Sequence, residues 1–181
     1  MSNLVTKAKE FAYRAHEGHF RNDKEHSPYI VHPKEVSELV EKSGGTEVEI
    51  AAAWLHDTVE DTPTTIEDIE REFGKEVAEV VAGLTDLPEF ETLPLAERKA
   101  KQAERVRGES DSVKRVKLAD QTSNVGAVGG GVFLDMHGQR AREYVEGAKK
   151  IAEECKGISP FLDTLFQEKY VVALGGLGES D

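Results

Sequence analysis

Apolar residues recur along this chain every three or four positions, the spacing of one buried face of an α-helix. Leu4, Ala8, Phe11, Ala12 and Ala15 mark a first amphipathic helix over residues 3–17, stopped by Gly18. A polar loop with Pro28 follows. Pro33 suits the first turn of a helix that runs to Ser43 and ends at Gly44-Gly45. The next stretch, Glu47 to Asp61, contains Ala51-Ala52-Ala53-Trp54-Leu55 with no glycine or proline, and it reads as one buried helix. It closes on His56-Asp57 and Glu60-Asp61 before Thr62-Pro63 stops it. Thr64 and Glu67 have capping-box spacing for a helix to Phe73, and Gly74 separates that from a helix over 75–84 with Val77, Val80, Val81 and Leu84 inward.

Pro94 leads into a strongly charged helix over 95–107. Asp111 or Ser112 caps the next, whose core positions are Val113, Val116, Leu118, Ala119 and Val125. Gly126, Gly129, Gly130 and Gly131 then loosen the chain. An amphipathic helix covers 138–156, and Ser159-Pro160 starts a last one with Phe161, Leu162, Leu165, Phe166 and Tyr170 inward; the C-terminal helices end by 172, and Gly175-Gly176 and Gly178 mark a frayed tail. No stretch alternates as a strand does. The pattern predicts an all-α bundle of about eight helices forming one domain over residues 1–181.

Composition narrows the function. The chain carries 23 basic and 35 acidic residues, a net charge of −12, which argues against a broad surface for nucleic acid or an anionic membrane. A small phosphorylated ligand needs only a local basic pocket and stays open. The lone Cys155 permits no internal disulfide and suits packing in a reducing compartment. No N-terminal apolar signal-like region and no apolar stretch of about 20 residues is present, so a cytoplasmic location is expected.

The candidate chemistry sits where apolar helices carry unexpected polar groups. His32 falls at a helix entrance, His56 and Asp57 at the end of the buried helix, and Asp120 on the apolar helix after residue 111. Two imidazoles and two carboxylates suit Mn²⁺, Fe²⁺ or Zn²⁺ better than Ca²⁺ or Mg²⁺. Acidic groups crowded at a helix C-terminus also favour a nearby cation. The plainer alternatives are a satisfied core histidine at His56, a solvated helix end at Glu60-Asp61, and a salt bridge from Asp120 to Lys117 or Arg115. A bound divalent ion lowers the pKa of water and polarises a phosphoryl oxygen. Glu60 and Asp61 follow His56 and Asp57 by four residues, on the same helix face, where either carboxylate would orient or deprotonate that water. Arg21, Lys24 and Tyr29 are the loop's candidate phosphate and base contacts, though plain solvation also accounts for basic loop residues. Arg98, Lys99, Lys101 and Arg105 read as a solvated face that would at most border an anion pocket. There is no glycine-rich phosphate loop, and Ser27, Ser112, Ser123 and Cys155 lack a nucleophile setting.

His32, His56-Asp57 and a distant Asp120 resemble the HD superfamily of metal-dependent phosphohydrolases. The phrases PYIVHPKEV, AAAWLHDTVEDT, FGKEVAEVVAGLTD and RVKLADQTSNV resemble the hydrolase domain of the RelA/SpoT homologue family, closest to its stand-alone small alarmone hydrolases, over about residues 4–125. The resemblance implies an all-α bundle and Mn²⁺-dependent removal of pyrophosphate from the 3′ position of ppGpp or pppGpp, leaving GDP or GTP. It implies that His32, His56, Asp57 and Asp120 hold the metal and that Glu60 and Asp61 position and activate the water. It further implies that Arg21 and Asn124 contact the nucleotide, with Lys24, Lys99 and Arg98 as weaker phosphate contacts. Where the family reads DRLHNMRT, this chain has Asp120-Gln121-Thr122-Ser123-Asn124-Val125-Gly126-Ala127, so Gly126 and Ala127 replace an Arg and a Thr. That difference motivates a second reading, in which the same metal centre cleaves another nucleotide or a phosphorylated metabolite such as NADPH. A third reading is a non-catalytic helical binding module with a structural metal, which would not need the Glu60-Asp61 pair. The chain is too short for the family's synthetase domain as well.

Overall fold

A computed structural model describes residues 2–177. Ten α-helices are present among them: α1 (Asn3–Ala15), α2 (Val31–Lys42), α3 (Glu47–Leu55), α4 (Thr58–Asp61), α5 (Ile66–Phe73), α6 (Lys75–Leu84), α7 (Leu95–Arg107), α8 (Asp111–Gly129), α9 (Gly138–Glu154) and α10 (Pro160–Gly176). A short 3₁₀ turn spans Pro88–Phe90. No named strand occurs among the described residues, only isolated bridges Phe20–Pro28 and Asp23–Phe133. None of these helices is long and apolar enough to cross a membrane.

The alanine-rich stretch becomes the central helix, α3. Ala51, Ala52, Ala53 and Leu55 are fully buried, and α1, α2, α6 and α8 pack around it. Alanines let those neighbours approach closely, while burial of a side chain such as Leu55 contributes about 1.5–3 kcal/mol. Thr46 and Glu49 satisfy each other's backbone amides in a capping box that starts α3.

The single helix expected from Glu47 to Asp61 is broken at its chemically richest point. His56 Nδ1 takes the Ala53 carbonyl at 2.7 Å and the Thr58 hydroxyl takes the Leu55 carbonyl at 2.7 Å. These side chains satisfy carbonyls at the helix end, so α3 stops at Leu55 and the chain restarts as α4 with Asp57 at its N-cap. Other boundaries also move. The capping box before α5 is Thr65 with Asp68, not Thr64 with Glu67; the Thr64 hydroxyl instead meets that of Thr62. Ser110, not Asp111 or Ser112, caps α8. α8 also continues through Gly126 to Gly129 rather than loosening there. A Cβ on Gly129 would lie 2.9 Å from the Ala173 Cα, so this glycine permits close contact between α8 and α10. α10 itself reaches Gly176, beyond the expected fraying point, and Gly178 lies outside the described residues. Cys155 is fully buried, as expected of a packing residue.

Candidate metal centre

Three helices deliver four donor groups to one place. His32 lies in the first turn of α2, His56 and Asp57 form the α3–α4 junction, and Asp120 lies midway along α8. One ligand atom each from His32, His56 and Asp57 falls within 4.8 Å of the others. Asp120 Oδ1 is 3.2 Å from His32 Nε2 and 3.9 Å from His56 Nε2. His56 gives the sharpest test of whether a cation fits. Its Nδ1 donates to the Ala53 carbonyl, which leaves Nε2 as the ring atom open to a proton or an ion. That Nε2 lies 3.0 Å from Asp57 Oδ2, yet it is buried without a hydrogen-bond partner. A buried nitrogen facing two carboxylates is a place that positive charge fills, either a proton or a divalent ion.

The electrostatics agree. Burial works against ionisation of Asp57 and Asp120, but the imidazoles, and for Asp120 also Lys117, outweigh it and hold both carboxyls well below their usual range. Burial opposes charge on His56 as well, and Asp57 and Asp120 still push it up to about 9. The centre therefore demands positive charge. Lys117 Nζ supplies some at 3.6 Å from Asp120 Oδ2, so the salt bridge weighed for Asp120 exists alongside the donor cluster. Arg115 turns away to Glu49 and the Ser43 carbonyl. The Tyr29 hydroxyl donates to Asp57 Oδ2 at 2.6 Å.

Glu60 and Asp61 separate. Glu60 lines the cavity above the donors, and burial is the main cause pushing its carboxyl up to about 7. Asp61, solvent-exposed as Glu60 also is, lies outside the lining and has its carboxyl raised by partial burial and by Asp57. The cavity holds about 310 Å³. Arg21, Lys99, Asn124 and the donors His32, Asp57 and Asp120 line it; Lys24 and Arg98 do not. Lys24 is exposed on the loop.

Lys99 departs from the expected solvated face. It is buried at 5 % exposure, donates to Gln121 Oε1 at 3.1 Å and sits 4.1 Å from the Tyr144 ring centroid. Desolvation lowers its pKa to about 8. The Arg21 guanidinium lies 4.8 Å from the Phe133 ring centroid. Asn124 Nδ2 donates to Asp120 Oδ1 at 2.7 Å. Lys117, Gln121, Phe133 and Tyr144 are lining residues that the sequence did not single out as site groups. Lys117 could have been found from its place three residues before Asp120, on one helix face. Phe133 and Tyr144 carry no such signal. Gly126 and Ala127 are absent from the lining, and Gly126 faces Lys169 on α10.

An all-α bundle that brings two histidines and two aspartates together from α2, the α3–α4 junction and α8 defines the class. The HD domain model matches residues 8–156, and the chain belongs to the HD domain family. Within it, the chain is 37 % identical over 170 residues to the guanosine-3′,5′-bis(diphosphate) 3′-pyrophosphohydrolase MESH1 of Danio rerio, covering 93 % of both chains. It is 36 % identical to the Homo sapiens protein of that name, covering 88 % of each. A solved structure described as a metazoan ortholog of SpoT that hydrolyzes ppGpp and plays a role in starvation responses superposes with a TM-score of 0.83 at 29 % identity, covering 94 % of this chain and 96 % of that one.

Proposed function

We propose that this protein hydrolyses the 3′-diphosphate of ppGpp or pppGpp, releasing pyrophosphate and leaving GDP or GTP, with Mn²⁺ as its ion. The observation that carries the reading is the convergence of His32, His56, Asp57 and Asp120 beside a cavity lined by Arg21, Lys99 and Lys117. The similarity to named pyrophosphohydrolases over nearly the full length supports the substrate.

His32, His56, Asp57 and Asp120 would hold the ion, which supplies Lewis-acid polarisation of a phosphoryl oxygen and acidifies water. Glu60 accepts the proton of the attacking water, a role suited to a carboxyl near 7 in a cavity at neutral pH. The water oxygen bonds to the phosphorus attached to the ribose 3′ oxygen, the bond from that phosphorus to the 3′ oxygen breaks, and the 3′ oxygen takes up the proton that Glu60 received. Lys99 and Lys117 offset the charge of the departing diphosphate. Arg21, stacked on Phe133, and Asn124 contact the nucleoside. Asp61 would assist Glu60 in positioning that water. Lys24, exposed on the loop and outside the lining, would at most be an outer phosphate contact. With a net charge of −12 and an unpaired cysteine, we place the protein in the cytoplasm, acting on a small nucleotide rather than nucleic acid or membrane.

The test is product release from ppGpp with purified protein and Mn²⁺, beside a panel of NADPH and nucleoside mono- to triphosphates, with Asp57→Ala as control. GDP plus pyrophosphate, lost in the variant, supports the reading. Metal-dependent release only from another panel member keeps the centre and replaces the substrate. No release from any member, with metal still bound, favours the binding module.

A further inference from the structure

His32 has two ways to place its proton, and they have opposite consequences. Its Nε2 faces Asp120 Oδ1 at 3.2 Å, so a proton there would be held by the carboxylate and would block the nitrogen as a donor to an ion. Its Nδ1 faces the Ser123 hydroxyl at 3.0 Å. A free serine hydroxyl serves either tautomer, because it both donates and accepts. This one is not free. Ser123 Oγ donates its hydrogen to Glu35 Oε2 at 2.8 Å. With that hydrogen committed, the oxygen has only lone pairs to offer His32, and the imidazole must present N–H at Nδ1.

We propose that Glu35 and Ser123 form a relay that positions His32, locking the tautomer whose Nε2 lone pair enters the donor centre. The inference rests on the metal-centre reading but not on the substrate. The relay is built across two helices: Glu35 stands three residues after His32 on α2, and Ser123 three residues after Asp120 on α8. Ser123 is 1 % exposed and His32 3 %, so water does not compete for the bond between them, while Glu35 holds the hydroxyl from a partly buried position. The carboxylate draws electron density through the hydroxyl and makes the imidazole a better donor. α2 and α8 are thus keyed to each other by the same contact that prepares the ligand.

The test measures Mn²⁺ affinity by titration calorimetry, together with the ¹⁵N shifts of the His32 ring in metal-free protein. The expected loss of affinity is about 10–100-fold in Ser123→Ala, with a mixed His32 tautomer. Glu35→Ala frees the hydroxyl to rotate and should give a smaller loss of the same kind, and Glu35→Gln, which still accepts, should lose less again. Excess Mn²⁺ should restore turnover in all three, as a purely positioning role requires. Unchanged affinity in Ser123→Ala with a single Nδ1–H tautomer would overturn the relay. So would equal effects of Glu35→Ala and Glu35→Gln. If wild-type protein binds Mn²⁺ but leaves ppGpp intact, the substrate reading fails while the relay is still judged by affinity and tautomer. If wild-type protein binds no Mn²⁺, both fail.

Discussion

The backbone N–H of Asp86 donates to Glu60 Oε1 at 2.5 Å, tying the end of α4 to the turn after α6. That turn is itself held. The Arg105 guanidinium on α7 reaches the carbonyls of Ala82 and Thr85, and Gln102 donates to Asp86 Oδ2. Glu60 therefore faces the cavity from a fixed position, with one oxygen engaged and the other available to a proton. Glu60→Gln keeps the size and the acceptor but not the basicity. Turnover should fall about 10²–10⁴-fold while Mn²⁺ affinity and KM change little. Steady-state kinetics and calorimetry on one preparation check this, and unchanged turnover would remove Glu60 from the role of proton acceptor.

Two groups with displaced pKa values bound the working pH range. Glu60, pushed up to about 7 chiefly by burial, must be ionised to accept a proton, so kcat/KM should fall as pH drops below about 7. Lys99, lowered to about 8 chiefly by burial, must be protonated to attract diphosphate, so kcat/KM should fall again above about 8. The profile is bell-shaped. Lys99→Met should raise KM by about 10-fold and abolish the alkaline limb; persistence of that limb would assign it to another group.

Much of this arrangement was legible beforehand, for physical reasons that differ by residue. His32, His56, Asp57 and Asp120 stood out because each interrupts a pattern that otherwise buries apolar groups, and the fold does bring them together. Helix existence followed from periodicity, whereas helix ends followed from single hydrogen bonds. The α3–α4 break depends on the Thr58 hydroxyl and His56 Nδ1 reaching particular carbonyls, which no spacing rule encodes. The burial of Lys99, unlike its candidacy as a phosphate contact, was not legible for a related reason. Its neighbours on α7 are charged and exposed, and only the approach of α9, with Gly147 packed against its stem and Tyr144 against its ammonium, turns that one position inward. Tertiary contacts made the substrate wall, and they are invisible along the chain.

Acid should destabilise the fold through His16. This side chain is buried at 3 % exposure, neither ring nitrogen has a hydrogen-bond partner, and its ring centroid lies 4.9 Å from that of Tyr29. Burial, the main cause, lowers its pKa to about 4. An unfolded chain protonates this histidine below about 6.5, while the folded one resists until about 4. The unfolded state thus binds more protons between those values, and stability is lost as pH falls through that window. His16→Phe fills the space without a titrating group. Its urea midpoint should drop less than that of wild type between about pH 7 and about pH 5. Equal drops in both proteins would place the acid sensitivity elsewhere.

The two glycines on α8 should respond oppositely to the same substitution, because different atoms face them. A Cβ at Gly129 would meet the Ala173 backbone, 2.9 Å from Cα and 3.2 Å from N, so α10 itself must move. Gly129→Ala should cost about 1–3 kcal/mol, read as a lowered urea midpoint. A Cβ at Gly126 would lie 2.7 Å from Lys169 Nζ, the far end of a flexible side chain that can swing away. Gly126→Ala should be neutral or stabilise by up to about 1 kcal/mol, since alanine is the better helix former. Gly126 also lies outside the cavity lining, so its substitution should leave the substrate preference unchanged. The position departs from the family's arginine, and here it faces the Lys169 side chain of α10. A changed ratio of ppGpp to NADPH turnover in Gly126→Ala would show instead that this helix face reaches the nucleotide.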